Sequence, residues 1–151
     1  MPAIFINPNA KEHSALLLDL NEQNFDLRLF VSDKLPKEEI ETFPGKKAIG
    51  DILDDTHIST ATEGAFCAIY FEGDQTSLRD CFYSSIKDSS AQRFIWISTK
   101  DNDDNLRSIE SLIYIKYDTG ADYKNVVLEI EESEVISEKY LELKLWKTKC
   151  V

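Results

Sequence analysis

The sequence predicts an α/β fold: a doubly wound, mostly parallel sheet of about six strands, finished by a C-terminal antiparallel edge strand. Three observations carry this expectation. Short apolar runs alternate with segments at helical spacing from residue 3 to residue 130, the pattern of βαβ units. One run, Ala65 to Phe71, is seven apolar residues long without a break, as suits a strand covered on both faces. The tail then changes period: Leu141, Leu143 and Leu145 alternate with Glu142 and Lys144, giving one dry and one wet face. A chain of 151 residues fits one domain, with residues 1–130 as the layered core and 139–148 as the edge strand.

Taken in order, Ala3 to Ile6 is the first strand. A helix follows, with apolar residues at Ala10, Leu16, Leu17, Leu18 and Leu20. Leu27 to Val31 is the second strand, ending at Ser32-Asp33, and Lys47 to Ile49 is a brief third, ending at Gly50-Asp51. After the fourth strand at Ala65–Phe71, the positions Leu78, Cys81, Phe82, Ser85 and Ile86 mark a helix, and Arg93 to Ser98 is a fifth strand rich in β-formers. Leu106, Ile109, Leu112 and Ile113 predict another amphipathic helix over about Asp103–Asp118, with Gly120 as its C-terminal cap. Val126 to Ile130 is the sixth strand. The acidic connector Glu131–Glu138 is too short for a crossover helix, so Tyr140 to Lys147 is expected to run antiparallel.

Charge narrows the function. With 28 acidic and 17 basic residues the formal net charge is -11, so nucleic acid and anionic membranes are poor partners. No apolar run approaches the ~20 residues of a membrane span. The N-terminus has no basic stretch leading into an apolar core, so no secretory signal is expected. Cys67, Cys81 and Cys150 are odd in number and widely spaced, which argues for reduced thiols and a cytoplasmic location.

The register of these segments resembles the atypical short-chain dehydrogenase/reductases, in particular the NmrA-like and sugar-epimerase-like Rossmann proteins. The stretches that carry the likeness are FDLRLFVSDKLP, GKKAIGDILDDTHISTATEGAFCAIYF, SLRDCFYSSIKDSSAQRFIWIS and TGADYKNVVLEI. The resemblance implies a Rossmann-like fold and a site for NAD or NADP at the carboxyl ends of the strands. The family's Gly-rich turn is missing, however: Pro8, Lys11 and Ser14 stand at its three positions. Proline has no N–H, and Asn9 with Glu12 reads as a capping box whose carboxylate would compete with a phosphate. The alternative is a remodelled phosphate site using Lys11 or His13 as point charges, with Asn7 and Asn9 beside it.

Other positions take roles from the same resemblance. Ser32 and Asp33 follow the second strand, where Asp33 would meet a ribose hydroxyl; as plain structure they are turn residues. Asp51 and Ile52 match the adenine side, and Phe71-Glu72-Gly73 the nicotinamide rim. For catalysis the family uses a Tyr with a Lys four residues on, so that the Lys charge lowers the Tyr pKa. Here the candidates are Tyr114 and Lys116, only two apart and so on separate faces of the expected helix, together with Ser98 and Thr99.

Neither histidine has a second His or a Cys at metal-ligand spacing, and the clusters Asp51/Asp54/Asp55 and Asp101/Asp103/Asp104 read as helix caps before they read as cation sites. No metal is expected. The expected function is a non-catalytic, NmrA-like binding, regulatory or assembly module with a degenerate dinucleotide site, which binds no cofactor unless NAD or NADP is retained. The alternative is a small NAD(P)-binding oxidoreductase or redox sensor. A homo-oligomer is expected, because the short chain leaves a sheet edge or helix face uncovered.

Overall fold

A strand with both faces covered has no polar side, and the burial of β1 (Ala3–Ile6) and β5 (Arg93–Ser98) is of this kind: every residue in both is buried. The computed structural model describes residues 3–22, 26–116 and 140–142. Between β1 and β5 come α1 (Ala10–Glu22), β2 (Leu27–Ser32), α2 (Lys37–Thr42), β3 (Lys46–Gly50), α3 (Asp55–Ala61), β4 (Cys67–Gly73) and α4 (Arg79–Asp88). After β5 follow α5 (Asp104–Arg107), β6 (Leu112–Lys116) and β7 (Tyr140–Glu142).

These strands form one sheet in the order β3-β2-β1-β4-β5-β6-β7, and every pair is parallel. Alternate residues of β4 feed two cores. Cys67, Ile69 and Phe71 join Leu16, Leu17 and Leu20 of α1 on one face. Ala68 and Tyr70 join Ile58 of α3 and Leu78, Phe82 and Ile86 around α4 on the other. The sheet is therefore doubly wound, as expected. Among the described residues no helix is long and apolar enough to cross a membrane.

Three expectations change. The helix foreseen over Asp103–Asp118 is the single turn of α5, and Leu112–Lys116 is strand β6. Leu106, Ile109, Leu112 and Ile113 fit a helical period, but Leu112 to Ile115 is also a continuous run buried on both faces, and a β-branched, aromatic run of that kind belongs in a central strand. The C-terminal strand is the second correction. Tyr140–Glu142 pairs parallel, not antiparallel, with β6, Tyr114 facing Tyr140. With β6 ending at Lys116, residues 117–139 exceed the dozen or so that a parallel crossover needs, so the short-connector argument no longer applies. Third, Lys37–Thr42 forms a helix that the periodicity did not predict. The expected strand at Val126–Ile130, the cap at Gly120 and the tail beyond Glu142 lie outside the described residues.

Gly45 sets the approach of β3. Its φ is 84°, and a Cβ there would sit 2.7 Å from the Leu27 carbonyl oxygen, a contact with backbone that has no easy escape. Gly45→Ala is expected to lower the unfolding free energy by about 1–3 kcal/mol. Urea denaturation checks this, and an unchanged midpoint would contradict the close packing.

Candidate functional site

Strand order reverses between β1 and β4, and the crevice above the carboxyl ends of two such strands is where doubly wound sheets place ligands. Here that crevice is a small cleft of about 50 Å³, lined by Asn7, Asn9 and His13 on one side and by Phe71 to Gln75 on the other. Asn7 leaves β1 with a φ of 67°, the left-handed conformation that asparagine tolerates better than most residues. The glycine-like geometry thus falls on Asn7, one residue before Pro8. Its side-chain amide donates to the Phe71 carbonyl at 2.9 Å and to Gln75 Oε1 at 3.4 Å, tying the two strand ends together.

The start of α1 is satisfied from within the chain. The Asn9 N–H donates to His13 Nδ1 at 3.0 Å, and the Ala10 N–H donates to Glu39 Oε1 of α2 at 3.1 Å. A carboxylate sits at the positive end of the helix, that of Glu39 from across the fold; the side chain of Glu12, expected there as half of a capping box, lies outside the described residues. His13 is 2% exposed and stacks on Phe71 with centroids 3.8 Å apart. Burial lowers its pKa to about 3, so the ring is neutral near pH 7. With Nδ1 accepting, the proton is assigned to Nε2. His13 thus offers a neutral ring and no point charge to the cleft, and Lys11 is exposed.

A buried charge network fills the ends of β4, β5 and β6. Glu72, fully buried, receives Arg79 Nη2 at 2.6 Å and Nε at 3.1 Å. It also receives Trp96 Nε1 at 3.1 Å and the Ser98 hydroxyl at 2.7 Å. Burial alone would raise its pKa, but the hydrogen bonds from Arg79, Ser98 and Trp96 outweigh burial and hold it below the usual range. Arg79 also donates to the Tyr114 hydroxyl at 2.7 Å and to the Asp101 carbonyl at 2.7 Å, and pairs with Asp103 at 3.3 Å. The guanidinium lies over the rings of Trp96 and Tyr114.

The catalytic candidates are drawn into this network. On a strand, residues two apart share a face, so Tyr114 and Lys116 do face the same way, contrary to the helical expectation. Tyr114 donates to the Lys100 carbonyl at 2.5 Å, and Lys116 bonds Asp101 at 2.5 Å. Burial raises the Tyr114 pKa, the wrong direction for a general acid–base near neutrality. Ser98 serves Glu72, and the Thr99 hydroxyl donates to the Gly73 carbonyl at 3.2 Å.

The remaining candidates sit apart from the cleft's lining, except Phe71. The Ser32 hydroxyl accepts from the Lys34 N–H at 3.2 Å, and Asp33 is exposed. Asp51 Oδ1 accepts from the Leu53 N–H at 2.9 Å, an Asx turn. Asp54 caps α3 and Asp103 caps α5. Half-buried Ile52 packs against the core on the α3–α4 face of the sheet, and the His57 ring packs edge-on against Phe30 and lies over Gly50, 2.4 Å from where a Cβ would stand. Glu39, Arg79 and Gln75 were not read from the sequence as site residues. The signal for Glu39 was Pro36 followed by Glu38-Glu39, a helix start with acids in its first turn; Arg79 and Gln75 carry no comparable local signal.

Two measurements check this geometry. The unfolded chain protonates His13 near pH 6.5 and the folded chain only near pH 3, so stability is held above pH 6.5 and lost as pH falls toward 3. Relative to His13→Gln, the unfolding free energy should fall by about 1.4 kcal/mol per pH unit in that window; parallel profiles would refute a buried neutral ring. Glu72→Gln leaves the Arg79 charge without its main partner and should cost about 3–5 kcal/mol, whereas Asp103→Asn should cost far less. Equal losses in calorimetric scans would count against Glu72 as the centre of the network.

No protein-family model matches the sequence, and no curated protein does. Solved structures do. The chain is similar to a short-chain dehydrogenase/reductase from Veillonella parvula in complex with NADP, at 12% identity and TM-score 0.59, over 91% of this chain and 89% of that one. It is similar to a Rossmann-fold NAD(P)-binding family protein from Shigella flexneri at 14% identity and TM-score 0.56, over 81% and 72%. A short-chain dehydrogenase/reductase superfamily protein from Agrobacterium tumefaciens with bound NAD aligns at 12% identity and TM-score 0.53, over 76% of this chain and 48% of that one, so the chain spans about half of its length. In strand order and in these likenesses, the chain has the Rossmann-like α/β fold of the short-chain dehydrogenase/reductase structures.

Proposed function

We propose that the chain is a non-catalytic binding, regulatory or assembly module whose dinucleotide corner is closed by its own side chains. The observation that carries this reading is the Glu39 carboxylate on the Ala10 N–H, at the helix end where a pyrophosphate would be held. NAD(P) does not fit the residues present. The neighbouring Asn9 N–H is taken by His13, the Asn7 amide bridges the crevice, and among the described residues the charged groups that line the cleft are the acids Glu72 and Asp74. Its volume of about 50 Å³ is also well below the ~300–1,000 Å³ of small-molecule sites. Tyr114 and Ser98, already engaged around Glu72 and Arg79, are not available as an acid–base pair, and no reaction is assigned to them.

The second reading, a small NAD(P)-binding oxidoreductase or redox sensor, draws on the Veillonella structure in complex with NADP and the Agrobacterium structure with bound NAD. It requires Glu39, on a six-residue helix with no buried residue, to swing off α1 when ligand arrives.

Thermal unfolding with NAD(H) and NADP(H) separates the two. At about 1 mM of each, the proposed module should show no shift in Tm. A rise of several degrees, which corresponds to concentrations ~100-fold or more above Kd, would overturn it in favour of the second reading.

A further inference from the structure

We infer that β3 is a self-association surface, on which a second copy of this chain adds its own β3 in antiparallel register about a two-fold axis at Ile49. The inference deepens the assembly part of the proposed function and names the surface responsible.

Among the described residues β3 is a free edge of the sheet, paired on one side only, with β2. Such an edge is a template for another strand. Its backbone fixes which residues can pair. The Gly50 carbonyl accepts from the Asp33 N–H across β2, and peptide groups alternate along a strand. Lys46, Ala48 and Gly50 therefore bond toward β2, while Lys47 and Ile49 direct N–H and C=O away from the sheet. Two copies can meet only with these outward residues opposite one another, which leaves three registers centred near the strand's middle.

Charge selects among them. Centred on Lys47, the pairing sets Lys47 against Lys47, a destabilising like-charge contact. Centred on Ala48, it sets Lys47 against Ile49, with no partner for the ammonium. Centred on Ile49, it sets Ile49 against Ile49, a stabilising cross-strand pair, and brings each Lys47 ammonium toward the carboxylate of Asp51, the first residue after the partner copy's β3. All three side chains are accessible: Ile49 is 50% exposed, and Lys47 and Asp51 are exposed. The edge lysines that would repel an in-register parallel strand are here the recognition element. The surface is isologous, so it closes at two copies and does not propagate.

Sedimentation equilibrium over about 10–500 µM tests this on the full chain. The expected result is a monomer–dimer equilibrium that weakens at high salt. Ile49→Pro removes an outward N–H directed away from β2, a placement proline tolerates at an edge, and should abolish the dimer. Lys47→Glu should do the same, and adding Asp51→Lys to it should restore dimerisation. A monomer at every concentration overturns both this inference and the assembly role. A dimer that survives both single substitutions, or a charge-swapped chain that stays monomeric, overturns the β3 surface alone. If Ile49→Pro fails to fold by circular dichroism, the Lys47 pair of variants decides.

Discussion

The first peptide N–H groups of a helix have no partner within it, and their charge end attracts whatever acceptor is nearest. In α1 two of them are answered by His13 and Glu39, and much of the local architecture follows. For Nδ1 of His13 to accept, the ring must be neutral, which its burial against Phe71 ensures. For Glu39 to reach Ala10, a helix must start soon after β2, and Pro36 with acids in the next turn provides one. The residues that make this corner stable are thus the residues that occupy its donors.

A second constraint acts at the ends of β4, β5 and β6. A carboxylate as buried as Glu72 is tolerable only when its lone pairs and its charge are matched, and Arg79, Trp96 and Ser98 supply the match. Arg79 in turn draws in Tyr114 and Asp103, so one ion pair joins three strands to α4 and α5. Buried pairs of this kind specify an arrangement more than they stabilise it. Ser98 and Tyr114 both take part in that specification, Ser98 by donating to Glu72 and Tyr114 by accepting from Arg79.

The layered fold was legible because its signal is local: apolar runs flanked by turn residues gave β1 to β5 within about two residues at each end. The misreading at Leu112–Ile115 arose where a short apolar run satisfied two periods at once, and only its neighbour β5 decides between them. That error carried the direction of the last strand with it, since the connection length was counted from the wrong point. In the site, the carboxylate at the α1 terminus is Glu39, 29 positions from Ala10, and no local pattern encodes such a meeting. Glu72 was visible only as an odd residue for a cofactor wall. Its partners come from α4, β5 and, through Arg79, β6, and sequence distance hides them.

The closed corner sets how strongly a dinucleotide would have to bind to open it. The charge-assisted bond from Ala10 to Glu39, with those from Asn9 to His13 and Asn7 to Phe71, stabilises the closed form by about 4 kcal/mol relative to water-exposed groups. Each ~1.4 kcal/mol is a tenfold factor, so about 4 kcal/mol would leave about one molecule in a thousand open and lower apparent affinity in the same proportion. A site with micromolar intrinsic affinity would bind at only about millimolar concentration. Three hydrogen bonds, one of them ending on the Phe71 carbonyl of β4, therefore set the free energy that a dinucleotide would have to supply at this corner.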